Sequence, residues 1–70
     1  MQNRKTEYIM GLCKVLEKKK RYRELRRCCE EIVSREPKNL AFRVSLLRAL
    51  LKLKDTDAAR HELSEIKDLR

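Results

Sequence analysis

The chain has 70 residues, of which 41% are hydrophobic, 4% aromatic and 43% charged, and its formal net charge is +8. This length supports one domain near the lower limit for a self-sufficient hydrophobic core, so residues 1–70 are expected to form a single unit. One glycine and one proline argue against a sheet with several tight turns, and the composition therefore predicts an all-α fold. The positive charge attracts anionic partners in general without identifying one.

The same totals bear on compartment. No apolar run approaches the roughly 18 residues of a membrane span, and residues 1–7 lack the apolar segment of a secretory signal. The three cysteines are Cys13, Cys28 and Cys29. They cannot all pair with one another, and a disulfide between adjacent cysteines would be strained. The sequence therefore favours reduced thiols and an intracellular, cytoplasmic location.

The first helix is predicted from about Thr6 to Lys19, because apolar residues recur there at helical spacing. Its apolar stripe consists of Tyr8, Ile9, Leu12, Cys13, Val15 and Leu16. Gly11 lies within the helix at a cost of about 1 kcal/mol relative to alanine, and its presence predicts close packing by another element. The basic run at residues 18–21 is interpreted as a solvated turn, with a nuclear import signal or a phosphate-binding patch as alternatives.

The second helix is predicted from about Tyr22 to Ser34. Its expected buried residues are Tyr22, Leu25, Cys29, Ile32 and Val33. Its outer face offers two ion pairs at (i, i+4) spacing, Arg26 with Glu30 and Arg27 with Glu31. The only proline, Pro37, must end this helix, and Asn39 is then expected to cap the next one.

The third helix, predicted from about Leu40 to Leu53, is apolar nearly all round and is therefore expected to be central. Its few polar residues, Ser45, Arg48 and Lys52, leave one face open. Asp55, Thr56 or Asp57 is expected to cap a fourth helix with one narrow apolar stripe. That stripe consists of Ala59, Leu63, Ile66 and Leu69. Charged residues at 60 and 67 predict that this helix serves as its own solvent cap.

The chain repeats itself at an offset of 34 residues. Identical pairs at that offset are Leu12/Leu46, Leu16/Leu50, Lys18/Lys52, Lys20/Lys54, Arg26/Arg60, Glu31/Glu65 and Ile32/Ile66. A period of 34 with two helices per unit resembles the tetratricopeptide repeat. Repeat one is placed at about 6–39 and repeat two at about 40–70.

The residue spacing carries the resemblance. The first copy reads Ile9-x2-Leu12-Cys13-x2-Leu16, then Leu25-x3-Cys29, then Pro37; the second reads Arg43-x2-Leu46-Leu47-x2-Leu50, then Ala59-x3-Leu63. The chain departs from the family pattern at Cys13, where a glycine is usual, at Leu25, where a small residue is usual, and at Arg43, which takes a usually apolar position. A four-helix bundle with a chance period remains the competing fold.

The resemblance implies two stacked helical hairpins, hence four antiparallel helices, whose first helices line a concave groove. The implied lining is Glu7, Met10, Gly11, Lys14, Glu17 and Lys18 from the first copy and Ala41, Val44, Ser45, Arg48, Leu51 and Lys52 from the second. Some family members clamp the C-terminal carboxylate of a peptide with Lys and Asn at set positions of the groove. Met10 and Lys14 hold the first two of those positions here, so the clamp is not reproduced.

No catalytic residue, cofactor or metal site is predicted. His61 is the only histidine and falls on the polar side of the fourth helix, among Arg60, Glu62 and Ser64. Cys13 and Cys29 fall on the apolar faces of two helices that should touch, and they lack the short paired spacing of zinc ligands. Cys28 is expected to be the most reactive thiol because it points further outward.

The sequence therefore predicts a non-catalytic protein-binding module of the adaptor or chaperone type. The expected partner is a protein or peptide, in particular an acidic segment with apolar anchors. The predicted partner-binding residues are Met10, Lys14, Lys18, Val44, Arg48, Leu51 and Lys52. A second face, formed by Tyr8, Leu12 and Val15, is expected to mediate self-association as a homodimer or to receive a partner helix. The alternative is a basic nucleic-acid-binding domain, which the lack of a base-reading helix or a stacking platform disfavours.

Overall fold

Four helices account for nearly all of the chain that the computed structural model describes, which is residues 4–69 apart from the side chains of Arg4 and Thr6. Helix α1 spans Arg4–Lys18, α2 Tyr22–Arg35, α3 Leu40–Lys52 and α4 Thr56–Leu69. The all-α prediction is confirmed, and every predicted helix boundary within the described residues lies within about two residues of the observed one.

Short connections at residues 19–21, 36–39 and 53–55 bring each helix against the next one in sequence. Helix α3 packs on both α2 and α4, which confirms its predicted central place. The Cα atoms extend over 33 × 29 × 15 Å, so the stacked helices form a slab that is thin in one direction.

The two hairpins close with the same turn, 34 residues apart. Lys20 and Lys54 both adopt the left-handed conformation with φ of 61°. In the first turn the backbone N–H of Arg21 donates to the carbonyl of Leu16 at 2.9 Å, and in the second that of Asp55 donates to the carbonyl of Leu50 at 3.0 Å. Each arrangement is a Schellman motif, which satisfies carbonyl groups at the end of a helix. The period of the sequence is therefore also a period of the backbone.

Helix starts follow the capping chemistry expected of them. The Asn39 side chain accepts a hydrogen bond from the backbone N–H of Phe42 at 3.4 Å, and that of Asp55 accepts from the backbone N–H of Ala58 at 3.3 Å. Helix α2 ends at Arg35, before Pro37. The predicted caps and the proline stop are confirmed.

One continuous core holds the helices together. Its buried members are Ile9, Cys13, Leu16, Leu25, Cys29, Ile32, Phe42, Leu46, Ala49, Leu50 and Ala59. Tyr22 and Val33, which were predicted to be buried, are only partly so and pack at its edge. The core is built from aliphatic and thiol side chains, as the scarcity of aromatic residues requires.

Several predicted details of the helix faces are wrong. Leu63 is exposed, and Glu62 takes the buried place beside Ala59 on α4. Gly11 does not mark a close approach, because a Cβ built there would meet nothing within 4 Å.

The predicted ion pairs on the outer face of α2 are half right. Arg26 pairs with Glu30 at 3.2 Å as expected. Glu31, however, pairs with Arg35 at 3.1 Å instead of with Arg27. Glu31 has an arginine four residues before it and another four residues after it, and its carboxylate pairs with the second, Arg35.

Candidate binding grooves

Helices α1 and α3 enclose a small groove of about 130 Å³, here called the α1–α3 groove. It is lined by Met10, Cys13, Lys14 and Glu17 from α1 and by Ala41, Phe42 and Ser45 from α3. Arg48 of α3 reaches across to Glu17 of α1, with 3.3 Å between guanidinium nitrogen and carboxylate oxygen. Side chains of α1 and α3 therefore face one another across this groove and form one surface.

The predicted partner-binding residues divide between this groove and its surroundings. Met10 and Lys14 line it, and Arg48 is tied to Glu17 in its wall. Lys18 and Lys52 are exposed, and Val44 is half-buried, but none of these three lines it. Lys14 makes no ion pair within residues 4–69, so its ammonium group is available to a ligand.

Leu51 lies in a different place from the one predicted for it. It lines a larger groove of about 450 Å³ between α3 and α4, here called the α3–α4 groove, whose surface is mostly apolar. The other lining residues are Leu47, Thr56, Ala59, Arg60 and Leu63. Helix α4 is therefore not the solvent cap that its charged residues suggested, because it leaves apolar side chains uncovered.

The apolar face of α1 is uncovered as well. Tyr8 is 73% exposed, Leu12 37% and Val15 48%. These three side chains, here called the α1 face, recur at helical spacing and so share one side of the helix. Large apolar side chains grouped in this way indicate a contact surface more strongly than scattered ones do.

A basic groove of about 490 Å³ lies where α2 meets the connection between α3 and α4. Arg23, Arg26 and Arg27 line it together with Glu30 and Asp55. Arg26 donates to Glu30 at 3.2 Å and lies 3.1 Å from Asp55, and the hydrogen bond to Glu30 raises the pKa of Arg26. Two carboxylates thus occupy Arg26 and offset part of the positive charge.

The thiols lie where the sequence placed them. Cys13 and Cys29 are buried with their Sγ atoms 3.9 Å apart, which confirms them as core residues, and Cys28 is half-buried. Burial raises the pKa of all three thiols. At neutral pH these cysteines are therefore protonated and poor nucleophiles.

The only histidine lies apart from the cysteines on the surface of α4. His61 is exposed, with its Nε2 3.6 Å from a carboxylate oxygen of Glu65 on the same helix. Within residues 4–69, no group of three or more histidine, cysteine, aspartate or glutamate side chains is arranged to hold a metal ion.

A buried ion pair is the feature that sequence reasoning missed. Arg43 of α3 donates through one guanidinium nitrogen to both carboxylate oxygens of Glu62 on α4, at 3.1 and 3.2 Å. Its Nε also donates to the carbonyl of Pro37 at 2.9 Å. The spacing of the sequence could have indicated that Glu62 is buried, since it lies three residues after Ala59 and four before Ile66 and so shares their side of the helix.

Comparison with known proteins adds no family: no family model, no curated protein and no solved structure matches the chain. None of the four helices, as described, is long and apolar enough to cross a membrane. The functional argument therefore depends on the grooves themselves.

Proposed function

We propose that the chain is a non-catalytic protein-binding module that receives an acidic segment with an apolar anchor in the α1–α3 groove. The observation that carries the proposal is the mixed lining of this groove. Met10, Ala41 and Phe42 offer apolar contact, and Lys14 and Arg48 place two cations at its edge. A ligand that matches both has carboxylates next to an apolar side chain.

The size of the groove favours a peptide over a small metabolite. Small-molecule sites usually have volumes of about 300–1,000 Å³, whereas this groove has about 130 Å³. That space suits one apolar side chain of a longer ligand whose remaining residues lie outside it. The unpaired ammonium group of Lys14 and the guanidinium of Arg48, which is 63% exposed although Glu17 offsets part of its charge, then meet the acidic residues that flank the anchor.

The apolar contacts and the charge pairs contribute different amounts of binding free energy. Burying one aliphatic side chain contributes about 1.5–3 kcal/mol, and each exposed charge pair contributes about 0–1 kcal/mol. The anchor therefore supplies most of the affinity. The cations raise the rate of encounter and select against basic segments. An intracellular adaptor or chaperone-like protein with two tetratricopeptide-like repeats fits this mode of binding.

Nucleic-acid binding is the alternative, and the basic groove is the feature that favours it. Arg23 and Arg27 are exposed at its edge and form no ion pair within residues 4–69, so both could contact phosphates. Glu30 and Asp55 stand against this reading because they would be brought close to the phosphates.

Two synthetic peptides of equal length and charge test the proposal. One carries a single leucine flanked by glutamates, and the other has serine in place of that leucine. We expect the leucine peptide to shift the amide NMR signals of Met10, Ala41 and Ser45, and to bind at least about tenfold more tightly than the serine peptide. No shift at these positions with peptide at about 1 mM would contradict the proposal.

Charge reversal separates groove binding from general attraction. Lys14→Glu with Arg48→Glu changes the α1–α3 groove, whereas Arg23→Glu with Arg27→Glu changes the outer face by the same number of charges. We expect peptide binding to be lost only in the first double variant, with helicity intact in both by circular dichroism. Equal losses would mean that binding follows net charge, and the groove assignment would have to be abandoned.

A further inference from the structure

Within the chain, α3 packs against the hairpin formed by α1 and α2. Helix α3 buries Phe42, Leu46 and Ala49 in the core that it shares with α1 and α2. The preceding hairpin, formed by α1 and α2, contributes Cys13, Leu25 and Cys29 to the same core, and α3 packs directly on α2. This contact is an apolar interface between one helix and the hairpin that precedes it.

Each half of that interface has a counterpart 34 residues away in the chain, one on the exposed α1 face and the other in the α3–α4 groove. The residues 34 positions before Phe42, Leu46 and Ala49 are Tyr8, Leu12 and Val15, which form the exposed α1 face. The residues 34 positions after Cys13, Leu25 and Cys29 are Leu47, Ala59 and Leu63, which all line the α3–α4 groove.

We propose that copies of this chain stack head to tail, with α1 of one copy seated in the α3–α4 groove of the next. The interface within the chain then continues between chains, because the same backbone period relates the helix that docks to the hairpin that receives it. The occupant is a second copy because the chain itself carries the face that matches this groove. Such a contact joins two different surfaces, so it does not close at a dimer and can continue along an open array.

The ion pairs of the internal contact show what opposes stacking. Within the chain, Arg26 lies 3.1 Å from Asp55. The equivalent residues between copies are Arg60 of one copy and Arg21 of the next, which repel each other. The net charge of +8 on each copy adds to this repulsion. Stacking is therefore held by apolar contacts, and we expect added salt to strengthen it because salt screens the like charges.

Two blocking variants test the geometry. Leu12→Lys places a charge on the α1 face, and Leu63→Lys places one in the α3–α4 groove; both leucines are exposed, so the fold should tolerate either change. In sedimentation equilibrium at concentrations up to about 1 mM, we expect the mass of the wild type to rise with concentration beyond that of a dimer. Each variant alone should remain near the monomer mass of 8.4 kDa, with an association constant at least about tenfold lower.

Mixing the variants gives the decisive result. The Leu12→Lys chain keeps an intact groove and the Leu63→Lys chain keeps an intact α1 face, so an equal mixture should form a dimer of one copy of each and stop there. Several results would overturn the proposal. A monomeric wild type would mean that these surfaces receive another protein. If Leu12→Lys abolished association and Leu63→Lys did not, the contact would be a symmetric α1-to-α1 dimer. Failure of the mixture to associate would exclude head-to-tail contact.

The like-charge contact provides a gain-of-function test. Arg60→Glu would face Arg21 of the next copy, so we expect the association constant to rise about three- to tenfold. The control is Lys38→Glu, which makes the same change in net charge at an exposed position in the connection between α2 and α3. Equal effects of the two substitutions would mean that association follows net charge, and the proposed register would be overturned.

Discussion

The buried pair of Arg43 and Glu62 offers the sharpest test of how the second hairpin is held together. Their side chains are only 10% and 8% exposed, and the pair joins α3 to α4 at 3.1 Å. Arg43 also holds the connection between α2 and α3 through the carbonyl of Pro37. Within residues 4–69, no buried side-chain nitrogen or oxygen lacks a hydrogen-bond partner, so removing either residue creates an unsatisfied group where there was none.

The expected magnitudes differ among the three variants of a double-mutant cycle. Arg43→Met leaves the Glu62 carboxylate buried without a partner, which should cost about 3–5 kcal/mol. Glu62→Met should cost less, about 2–3 kcal/mol, because Arg43 keeps the Pro37 carbonyl as acceptor and its long side chain can reach water. The double variant replaces both charges by apolar side chains of similar length, and we expect it to lie within about 1–2 kcal/mol of the wild type.

Urea unfolding followed by circular dichroism measures these costs. A chain of this length has a total free energy of unfolding of roughly 4–10 kcal/mol, so the expected cost of Arg43→Met is a large part of it. The same cost should lower the midpoint of thermal unfolding by about 12 °C or more. The coupling energy between the two sites should exceed about 2 kcal/mol.

A matched cycle at Arg35 and Glu31 provides the control. This pair has the same residue types and the same 3.1 Å separation, but its side chains are 48% and 54% exposed. Its coupling energy should stay below about 0.5 kcal/mol. The reasoning would be refuted if Arg43→Met cost less than about 1 kcal/mol, or if the two cycles gave the same coupling.

Two further predictions follow from the turns and the thiols. Lys20→Gly and Lys54→Gly should each stabilise the chain by up to about 1 kcal/mol in thermal unfolding, because glycine adopts the left-handed conformation without a steric penalty; destabilisation by both would contradict that conformation. A thiol reagent in native buffer should modify half-buried Cys28 well before Cys13 and Cys29, and all three equally in denaturant. Because burial raises the pKa of Cys28 above its ordinary value, its rate of modification should continue to rise above pH 9, and equal native rates at the three cysteines would contradict the assigned helix faces.

The helices were predictable because their limits are set by local chemistry. Pro37 forbids a helix to pass through it, and the side chains of Asn39 and Asp55 bond to backbone groups three residues ahead, so each signal is contained in a few neighbouring residues. The period of 34 was visible because the same turn recurs in both hairpins and demands residues of the same kind around it. Nothing in either inference requires knowledge of the packed structure.

What the sequence concealed depends on contacts between helices. Leu63 was assigned to the core and Glu62 to the surface because apolar residues are buried more often than charged ones. Arg43 reverses that assignment, since a charged side chain on the neighbouring helix makes the buried place on α4 favourable for a carboxylate. Leu51 was expected in the α1–α3 groove, yet it lines the α3–α4 groove instead. A helix that is apolar nearly all round does not reveal which neighbour each side chain will meet.

The dependence on salt concentration distinguishes the three binding modes, because charge attracts the ligand weakly in the first, attracts it strongly in the second and repels it in the third. Binding of an acidic peptide in the α1–α3 groove gains from Lys14 and Arg48, so it should weaken modestly as salt screens exposed charges over about 10 Å at 0.1 M. Nucleic acid in the basic groove would lose affinity steeply, because each phosphate contact releases counterions. Head-to-tail stacking brings Arg60 towards Arg21 and should instead strengthen with salt. If copies stack as proposed, the net charge of +8 opposes their association at low salt, and screening of that charge strengthens it.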